Sequence, residues 1–194
     1  MPNIYMIAGC NGAGKTTASY TMLPEMLDCK EFVNADSIAA GISPFRPESV
    51  SFEAGRVMLQ RIEQLLKSNI DFAIETTLSS RNYIPKVREW QRQGYEVILI
   101  FFWLNNTSLA IQRIDERVKK GGHFIPDDIV IRRYFRGIKN LFDSFITICD
   151  YFLVADNSNE IPEIICRGIS KTELTIFNES VWTEIKGIYY DQQR

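Results

Sequence analysis

The segment GCNGAGKT at residues 9–16 constrains this chain more than any other feature. It matches the pattern GxxxxGK[ST], follows the apolar run at residues 3–8, and precedes a helical stretch that begins at about Lys15. Glycines let the backbone wrap around a phosphate with its N–H groups inward, and the helix N-terminus adds the positive end of a dipole. The sequence therefore predicts a phosphate-binding loop. Its members are Gly9, Asn11, Gly12, Ala13, Gly14, Lys15, Thr16 and Thr17.

Two side chains of this loop indicate which ligand it holds. The Lys15 ammonium can reach the β- and γ-phosphates of a nucleoside triphosphate, and the Thr16 hydroxyl can ligate Mg²⁺. ATP or GTP with Mg²⁺ is therefore the expected cofactor. The loop alone fits a motor, a switch and a kinase equally well, so the residues that follow the other strands must decide between them.

Four more apolar runs predict strands, at residues 31–35, 72–75, 96–104 and 151–155. Helical patterns separate the runs. The first pattern begins at about Lys15 and is interrupted by Pro24. The others span residues 48–68, 83–93, 107–118, 127–142 and 178–190. In the pattern at residues 48–68, the apolar residues that recur at helical spacing are Phe52, Val57, Leu59, Ile62, Leu65 and Leu66. Alternating strands and helices predict an α/β fold with a doubly wound parallel sheet of five strands, whose ligands lie beyond the carboxyl ends of the strands.

Length and composition exclude several other classes of protein. With 194 residues, 45% of them hydrophobic and 24% charged, the chain is expected to form one globular domain over residues 1–194. A net charge of −2 argues against a dedicated nucleic-acid binder. The four cysteines form no CxxC pair, which favours reduced and mostly buried thiols. Neither a signal peptide nor a run long enough to span a membrane is recognisable, so we expect a soluble, cytoplasmic protein.

Two acidic residues follow predicted strands. Asp36 comes directly after residues 31–35, where a carboxylate could accept a proton from an attacking hydroxyl, hold water on Mg²⁺, or simply cap a helix. Glu75 ends the run at residues 72–75, where an acid could hold Mg²⁺ through water, contact a substrate, or simply form a solvated strand end. Both residues are therefore candidates for a site at the carboxyl edge of the sheet.

A hinged lid is predicted over about residues 117–133, where GGHFIP lies between two helical patterns. Arginines on its flanks could clamp a phosphoryl group as charge develops on it. Arg117 and the adjacent pair Arg132 and Arg133 bracket the turn and are the stronger candidates. For Arg113 and Arg136, a solvated helix face is the better interpretation.

Together these segments resemble the zeta toxin family of P-loop kinases, in its short, stand-alone branch. The matching segments occur in order over roughly residues 3–160. They are GCNGAGKTT (9–17), VNADSIA (33–39), EAGRVML (53–59), IETTLSS (74–80), ERVKKGGHFIP (116–126), IRRYFRGI (131–138) and DNS (156–158). The resemblance implies a three-layer α/β/α fold of the P-loop NTPase type, similar to nucleotide kinases, with the strand order 2-3-1-4-5.

The resemblance also implies an activity and a set of roles. Zeta toxins phosphorylate the 3′-hydroxyl of UDP-N-acetylglucosamine, and some are neutralised by an antitoxin protein. Carried over to this chain, Asp36 resembles the catalytic base and Lys15 the phosphate-binding lysine. Glu75 and Thr77 resemble acceptor-side contacts. The phosphate clamp is expected to consist of Arg117 and one of the pair Arg132 and Arg133.

Three hypotheses on function follow. The first is an ATP- or GTP- and Mg²⁺-dependent phosphotransferase that acts on a small molecule, with UDP-N-acetylglucosamine as the first acceptor to test. The second is a kinase of another hydroxyl acceptor, an antibiotic or a polynucleotide end. The third is a nucleotide-binding regulatory module that transfers nothing and acts on a partner protein.

Overall fold

A computed structural model of the protein describes residues 1–169 and 173–192. Its single sheet contains seven strands, which are β1 (Asn3–Ala8), β2 (Phe32–Val33), β3 (Phe72–Thr76), β4 (Glu96–Trp103), β5 (Tyr151–Asp156), β6 (Glu163–Ile169) and β7 (Glu173–Ile176). Their order in the sheet is β2-β3-β1-β4-β5-β6-β7. The first five strands are parallel and follow the expected order 2-3-1-4-5, so the predicted fold class is confirmed.

The prediction of five strands is wrong in number, because β6 and β7 extend the sheet by an antiparallel hairpin beyond β5. This hairpin lies at one edge of the sheet. Of the seven residues of β6 only Ile165 and Cys166 are buried, so the segment lacks the continuous apolar run that marks the central parallel strands. Its mixed composition is why the sequence pattern did not predict it.

Within the described residues, eight α-helices connect or flank the strands. They are α1 (Lys15–Met26), α2 (Ala35–Ile42), α3 (Ser51–Ser68), α4 (Tyr83–Arg92), α5 (Thr107–Lys119), α6 (Asp127–Asn140), α7 (Ile146–Ile148) and α8 (Glu179–Asp191). A 3₁₀ turn (Pro47–Val50) precedes α3, and a π-helical turn (Leu141–Phe145) joins α6 to α7. Pro24 lies within α1, which continues to Met26.

Helix α3 confirms the helical pattern predicted at residues 48–68, although the helix begins only at Ser51. Its buried residues are Ala54, Met58, Ile62 and Leu65. Of the apolar residues that marked the pattern, Ile62 and Leu65 are buried, whereas Phe52, Val57 and Leu59 are exposed.

The centre of the sheet brings the predicted site segments together. Strand β1 is buried along almost its whole length and pairs with β3 on one side and β4 on the other. In this register Ile7 lies opposite Glu75, and Ala8 opposite Thr76. The glycine-rich loop after β1 therefore begins beside the acid that ends β3.

No helix in residues 1–169 and 173–192 combines the length and the hydropathy that a membrane crossing requires.

All four cysteines are free and buried, as the sequence predicted. Burial raises the pKa of the Cys10 and Cys29 thiols to about 11 and that of Cys166 to about 12. The pKa of Cys149 is also raised by burial. Since the thiolate is the reactive form, folding should suppress the reactivity of each of these thiols.

We predict that the folded protein reacts with a disulfide reagent at pH 8 on the order of 100-fold more slowly than the unfolded chain. After denaturation, four equivalents should react at the rate of a free thiol. The measurement is the absorbance of the released thiolate with and without denaturant. A thiol that reacts in the folded protein at the unfolded rate would contradict the burial described here.

Candidate functional site

The glycine-rich loop has the backbone geometry of a phosphate cradle. Gly12 and Gly14 have φ angles of +81° and +78°, which favour glycine strongly. A Cβ atom on Gly14 would overlap the side-chain amide of Asn157, whose Nδ2 donates a hydrogen bond of 2.7 Å to the carbonyl of Ala13. The loop is therefore held by the segment that follows β5, which lies two strands away from β1 at the same carboxyl edge of the sheet.

Lys15 is the buried charge at the centre of the site. Its side chain is only 5% exposed, and its Nζ donates to the carbonyl of Cys10 at 2.9 Å. The same Nζ lies 3.4 Å from Oε1 of Glu75. A buried ammonium requires such partners, because the loss of its hydration is costly. Lys15 and Glu75, each predicted as a site residue, are thus in direct contact.

The second oxygen of Glu75 binds two neighbouring side chains. Oε2 accepts a hydrogen bond from the Thr16 hydroxyl at 2.7 Å and another from Asn34 Nδ2 at 2.7 Å. The end of β1, the end of β3 and the segment after β2 therefore converge on a single carboxylate. Asn34 was not predicted as a site residue.

Asn34 also begins helix α2. It is buried, and its Oδ1 accepts hydrogen bonds from the backbone N–H groups of Asp36 at 2.8 Å and Ser37 at 3.1 Å. Asn34 is therefore the N-cap of α2, and the alternative that Asp36 caps a helix is wrong. Because Asp36 stands in the first turn with an exposed side chain, its carboxylate is available to the solvent side of the site.

Most of these residues line a cavity of about 910 Å³. The predicted site residues that line it are Asn11, Gly12, Gly14, Lys15, Thr16, Thr17, Asp36, Glu75 and Arg117. The other residues of the predicted set lie outside this lining; they are Gly9, Ala13, Thr77, Arg132 and Arg133. Asp36 and Lys15 thus line one shared volume.

The turn between α5 and α6, which is part of the predicted lid, contacts Arg117. The amide of Gly122 donates to the carbonyl of Arg117 at 2.9 Å, and a Cβ atom on Gly122 would lie 2.6 Å from Arg117 Cγ. The guanidinium then donates from Nη2 to the carbonyl of His123 at 2.8 Å. His123 Nδ1 lies 3.5 Å from Oε2 of Glu48, so the turn also contacts the 3₁₀ turn that precedes α3.

The structure separates the two adjacent arginines of α6. Arg133 Nη1 donates to Oδ1 of Asn11 at 3.0 Å, which brings its guanidinium to the phosphate-binding loop. Arg132 is exposed on the same helix. Of the pair, Arg133 is the one whose observed contact leads toward the cavity.

Arg113 was predicted to lie on a solvated helix face, and this prediction is wrong. It is half-buried, and it donates to the carbonyl of Asn157 at 2.8 Å and to that of Ser158 at 3.0 Å. It also lines the cavity, as does Asn157. The DNS segment at residues 156–158 was the only sequence signal for this contact, and it did not distinguish a site from an ordinary turn.

Thr16 and Glu75 offer the donors that Mg²⁺ prefers. Hydroxyl and carboxylate oxygens are hard ligands, and the two side chains are already 2.7 Å apart. Within residues 1–169 and 173–192, there is no cluster of three His, Cys, Asp or Glu side chains that could hold a metal. Mg²⁺ usually keeps several waters and binds through one or two protein ligands plus phosphates, so this pair fits it.

Comparisons with known proteins relate this chain to one family. The family model described as "Zeta toxin" matches residues 1–161. An uncharacterized protein of Haemophilus influenzae is 35% identical over 128 residues, which cover 65% of this chain and 88% of that protein.

Solved structures share the fold at low identity. The AvrRxo1-ORF1:ORF2 complex with ATP aligns with a TM-score of 0.73 and 16% identity, over 95% of this chain and 63% of that one. The PezAT toxin–antitoxin system of Streptococcus pneumoniae aligns with a TM-score of 0.66 and 15% identity, over 100% and 86%. The chain spans less than two thirds of the AvrRxo1-ORF1:ORF2 chain that it matches. At these identities the likeness shows the fold.

We predict that Asn34→Ala lowers the free energy of unfolding by about 1 kcal/mol, because it removes a helix cap. It should also weaken the binding of ATP with Mg²⁺ by about tenfold, because a hydrogen bond to the Glu75 carboxylate is lost. Thermal denaturation measures the first effect, and calorimetric titration with ATP and Mg²⁺ measures the second.

The matched control is Asn178→Ala. Asn178 caps α8 by accepting from the amide of Val181 at 3.2 Å, and its Nδ2 donates to Glu163 at 3.2 Å. This variant should lose similar stability and keep the ATP affinity of the unaltered protein. Equal ATP affinity of the two variants would show that Asn34 acts only as a helix cap.

Proposed function

Because this chain belongs to the zeta toxin family, we propose that it transfers the γ-phosphoryl group of ATP or GTP to a hydroxyl group of a small molecule. The fold of the P-loop kinases and the cavity at the carboxyl edge of the sheet support this function. The short chain offers the parts that phosphoryl transfer requires, which are mainly positioning and neutralisation of charge.

One observation carries the proposal: Lys15, Glu75 and Asp36 line the same cavity of about 910 Å³. Lys15 is buried beside the phosphate-binding loop, whereas Asp36 is exposed in the first turn of α2. A triphosphate on the loop and an acceptor beside Asp36 would therefore meet within one volume. A regulatory module that transfers nothing would not require an acid on the acceptor side.

In the proposed reaction, an acceptor hydroxyl oxygen forms a bond to the γ-phosphorus while the bond to the β–γ bridging oxygen breaks. ADP or GDP is the leaving group, and the hydroxyl proton passes to the carboxylate of Asp36. Lys15 would bind the β- and γ-phosphate oxygens. Arg117, oriented by the lid turn, would offset the charge that develops on the transferred group.

Arg133 completes the proposed clamp through its contact with Asn11 of the phosphate-binding loop. Mg²⁺, when bound with the nucleotide, would be held by Thr16 and Glu75 and would neutralise part of the phosphate charge. Arg132 is exposed, and we assign it no role in this reaction.

UDP-N-acetylglucosamine is the acceptor that we propose, on the ground that the chain is a zeta toxin family member. Its hydroxyl would lie on the side of Asp36. Thr77, which the resemblance places on the acceptor side, directly follows β3. Its hydroxyl oxygen lies 2.8 Å from the hydroxyl oxygen of Ser79. Another sugar or an antibiotic hydroxyl would require the same residues and is the alternative that a substrate screen distinguishes.

The proposal includes a neutralising protein partner. It is supported by the structural likeness to the toxin–antitoxin system PezAT of Streptococcus pneumoniae. A kinase that consumes a cell-wall precursor would harm the cell that makes it, so an inhibitor protein is a reasonable requirement of the proposed activity.

We predict that Asp36→Asn folds and binds ATP but transfers at least about 100-fold more slowly, because the proton acceptor is lost. The measurement is the release of ADP from ATP and Mg²⁺, with and without UDP-N-acetylglucosamine. Stimulation by the acceptor should appear in the unaltered protein and disappear in the variant.

Asp28→Asn is the control, because Asp28 is exposed in the turn after α1 and outside the residues that line the cavity. It should behave as the unaltered protein does. Full activity of Asp36→Asn would refute the assignment of the base. The absence of stimulation in the unaltered protein, with ATP still bound, would refute UDP-N-acetylglucosamine as the acceptor.

A further inference from the structure

The loop that follows β3 has a backbone conformation that is costly for its sequence. Leu78 is completely buried and has a φ angle of +57°, a left-handed conformation that leucine rarely adopts. Such a residue persists only where its surroundings hold it. We call residues 77–82 the acceptor loop, because they continue directly from the end of β3 and include Thr77.

Helix α6 contacts the acceptor loop at two points. A Cβ atom on Gly137 would lie 2.9 Å from the carbonyl oxygen of Thr77, so a larger residue there would push the loop away. Asn140, which is buried, donates from Nδ2 to the carbonyl of Leu78 at 2.8 Å. Its Oδ1 accepts from Arg81 Nε at 3.2 Å. One amide therefore holds the loop near both of its ends.

Asp143 holds Arg81 in turn. It lies in the π-helical turn after α6, and its Oδ2 is 2.9 Å from Arg81 Nη2 and 3.2 Å from Lys139 Nζ. Its Oδ1 accepts from the Tyr189 hydroxyl at 2.9 Å. Partial desolvation would raise the pKa of Asp143, but these hydrogen bonds and the charges of Lys139 and Arg81 together lower it, so the carboxylate is charged at neutral pH.

Tyr189 belongs to α8, which lies outside the residues that match the family model. The ring of Phe142 packs against Trp182 at a centroid distance of 5.2 Å and against Tyr189 at 4.9 Å. These ring contacts hold α8 against the π-helical turn. The last helix thus brings one hydroxyl to the carboxylate that orients Arg81.

We propose that Asp143 and Tyr189 are positioning residues for the acceptor loop, and that α8 contributes through them to the acceptor side of the site. The hydrogen bonds run from Tyr189 through Asp143, Arg81 and Asn140 to the carbonyl of the strained Leu78. The expected effect on acceptor binding rests on the proposed function, whereas the expected effect on the conformation of the acceptor loop does not.

The first test is amide hydrogen exchange of the full chain by mass spectrometry. Tyr189→Phe removes only the hydroxyl, so peptides covering residues 77–82 should exchange about fivefold faster, and about tenfold faster in Asp143→Asn. Peptides covering residues 9–17 should exchange as before. The control is Tyr190→Phe, an adjacent exposed tyrosine, which should leave the acceptor loop unchanged.

Unchanged exchange of residues 77–82 in Tyr189→Phe and Asp143→Asn would overturn the proposal. So would acceleration to the same extent throughout the chain, since that would indicate a general loss of stability rather than positioning of one loop. Because no substrate is needed, this test decides the role of Asp143 and Tyr189 whether or not the acceptor is identified.

The second test uses steady-state kinetics with UDP-N-acetylglucosamine as the acceptor. In Tyr189→Phe, KM for the acceptor should rise about fivefold, whereas KM for ATP should stay unchanged. An equal change in both KM values, or no change in either, would contradict a role specific to the acceptor side. If the unaltered protein does not turn over this acceptor, the proposed substrate fails and the exchange experiment still stands.

Discussion

The buried ammonium of Lys15 is the constraint on which the rest of the site depends. With a side chain only 5% exposed, it has lost most of its hydration, and it requires the carbonyl of Cys10 and the carboxylate of Glu75 in compensation. Glu75 in turn requires donors for its second oxygen, which Thr16 and Asn34 supply. The ends of three neighbouring strands, with the segments that follow them, therefore converge around one positive charge. In the proposed function, a bound phosphate would replace Glu75 as the partner of this ammonium.

Much of this arrangement could be predicted from the sequence, because it depends on local patterns. The glycines before Lys15, the apolar run of β1 and the acid at the end of β3 each have a short-range signature. Parallel strands place their carboxyl ends at one edge of a sheet, so Glu75 and Lys15 were expected near each other and lie in contact.

The contacts that were missed join residues far apart in the chain. Asn157 binds the carbonyl of Ala13 across 144 positions, and Arg113 binds carbonyls of the same DNS segment. Nothing in the local sequence around either residue shows that its partner folds back to it. Asn34 was missed for a different reason: two polar residues in VNAD could cap α2, and only the structure distinguishes Asn34 from Asp36.

The most direct test of the central claim compares the affinity for ATP with and without Mg²⁺, by calorimetric titration of the unaltered protein and of Glu75→Gln. If Glu75 and Thr16 hold the ion beside the phosphate-binding loop, Mg²⁺ should strengthen binding in the unaltered protein, and the strengthening should be lost in Glu75→Gln. Failure of the unaltered protein to bind ATP, or an affinity that Mg²⁺ changes equally in both proteins, would contradict the account.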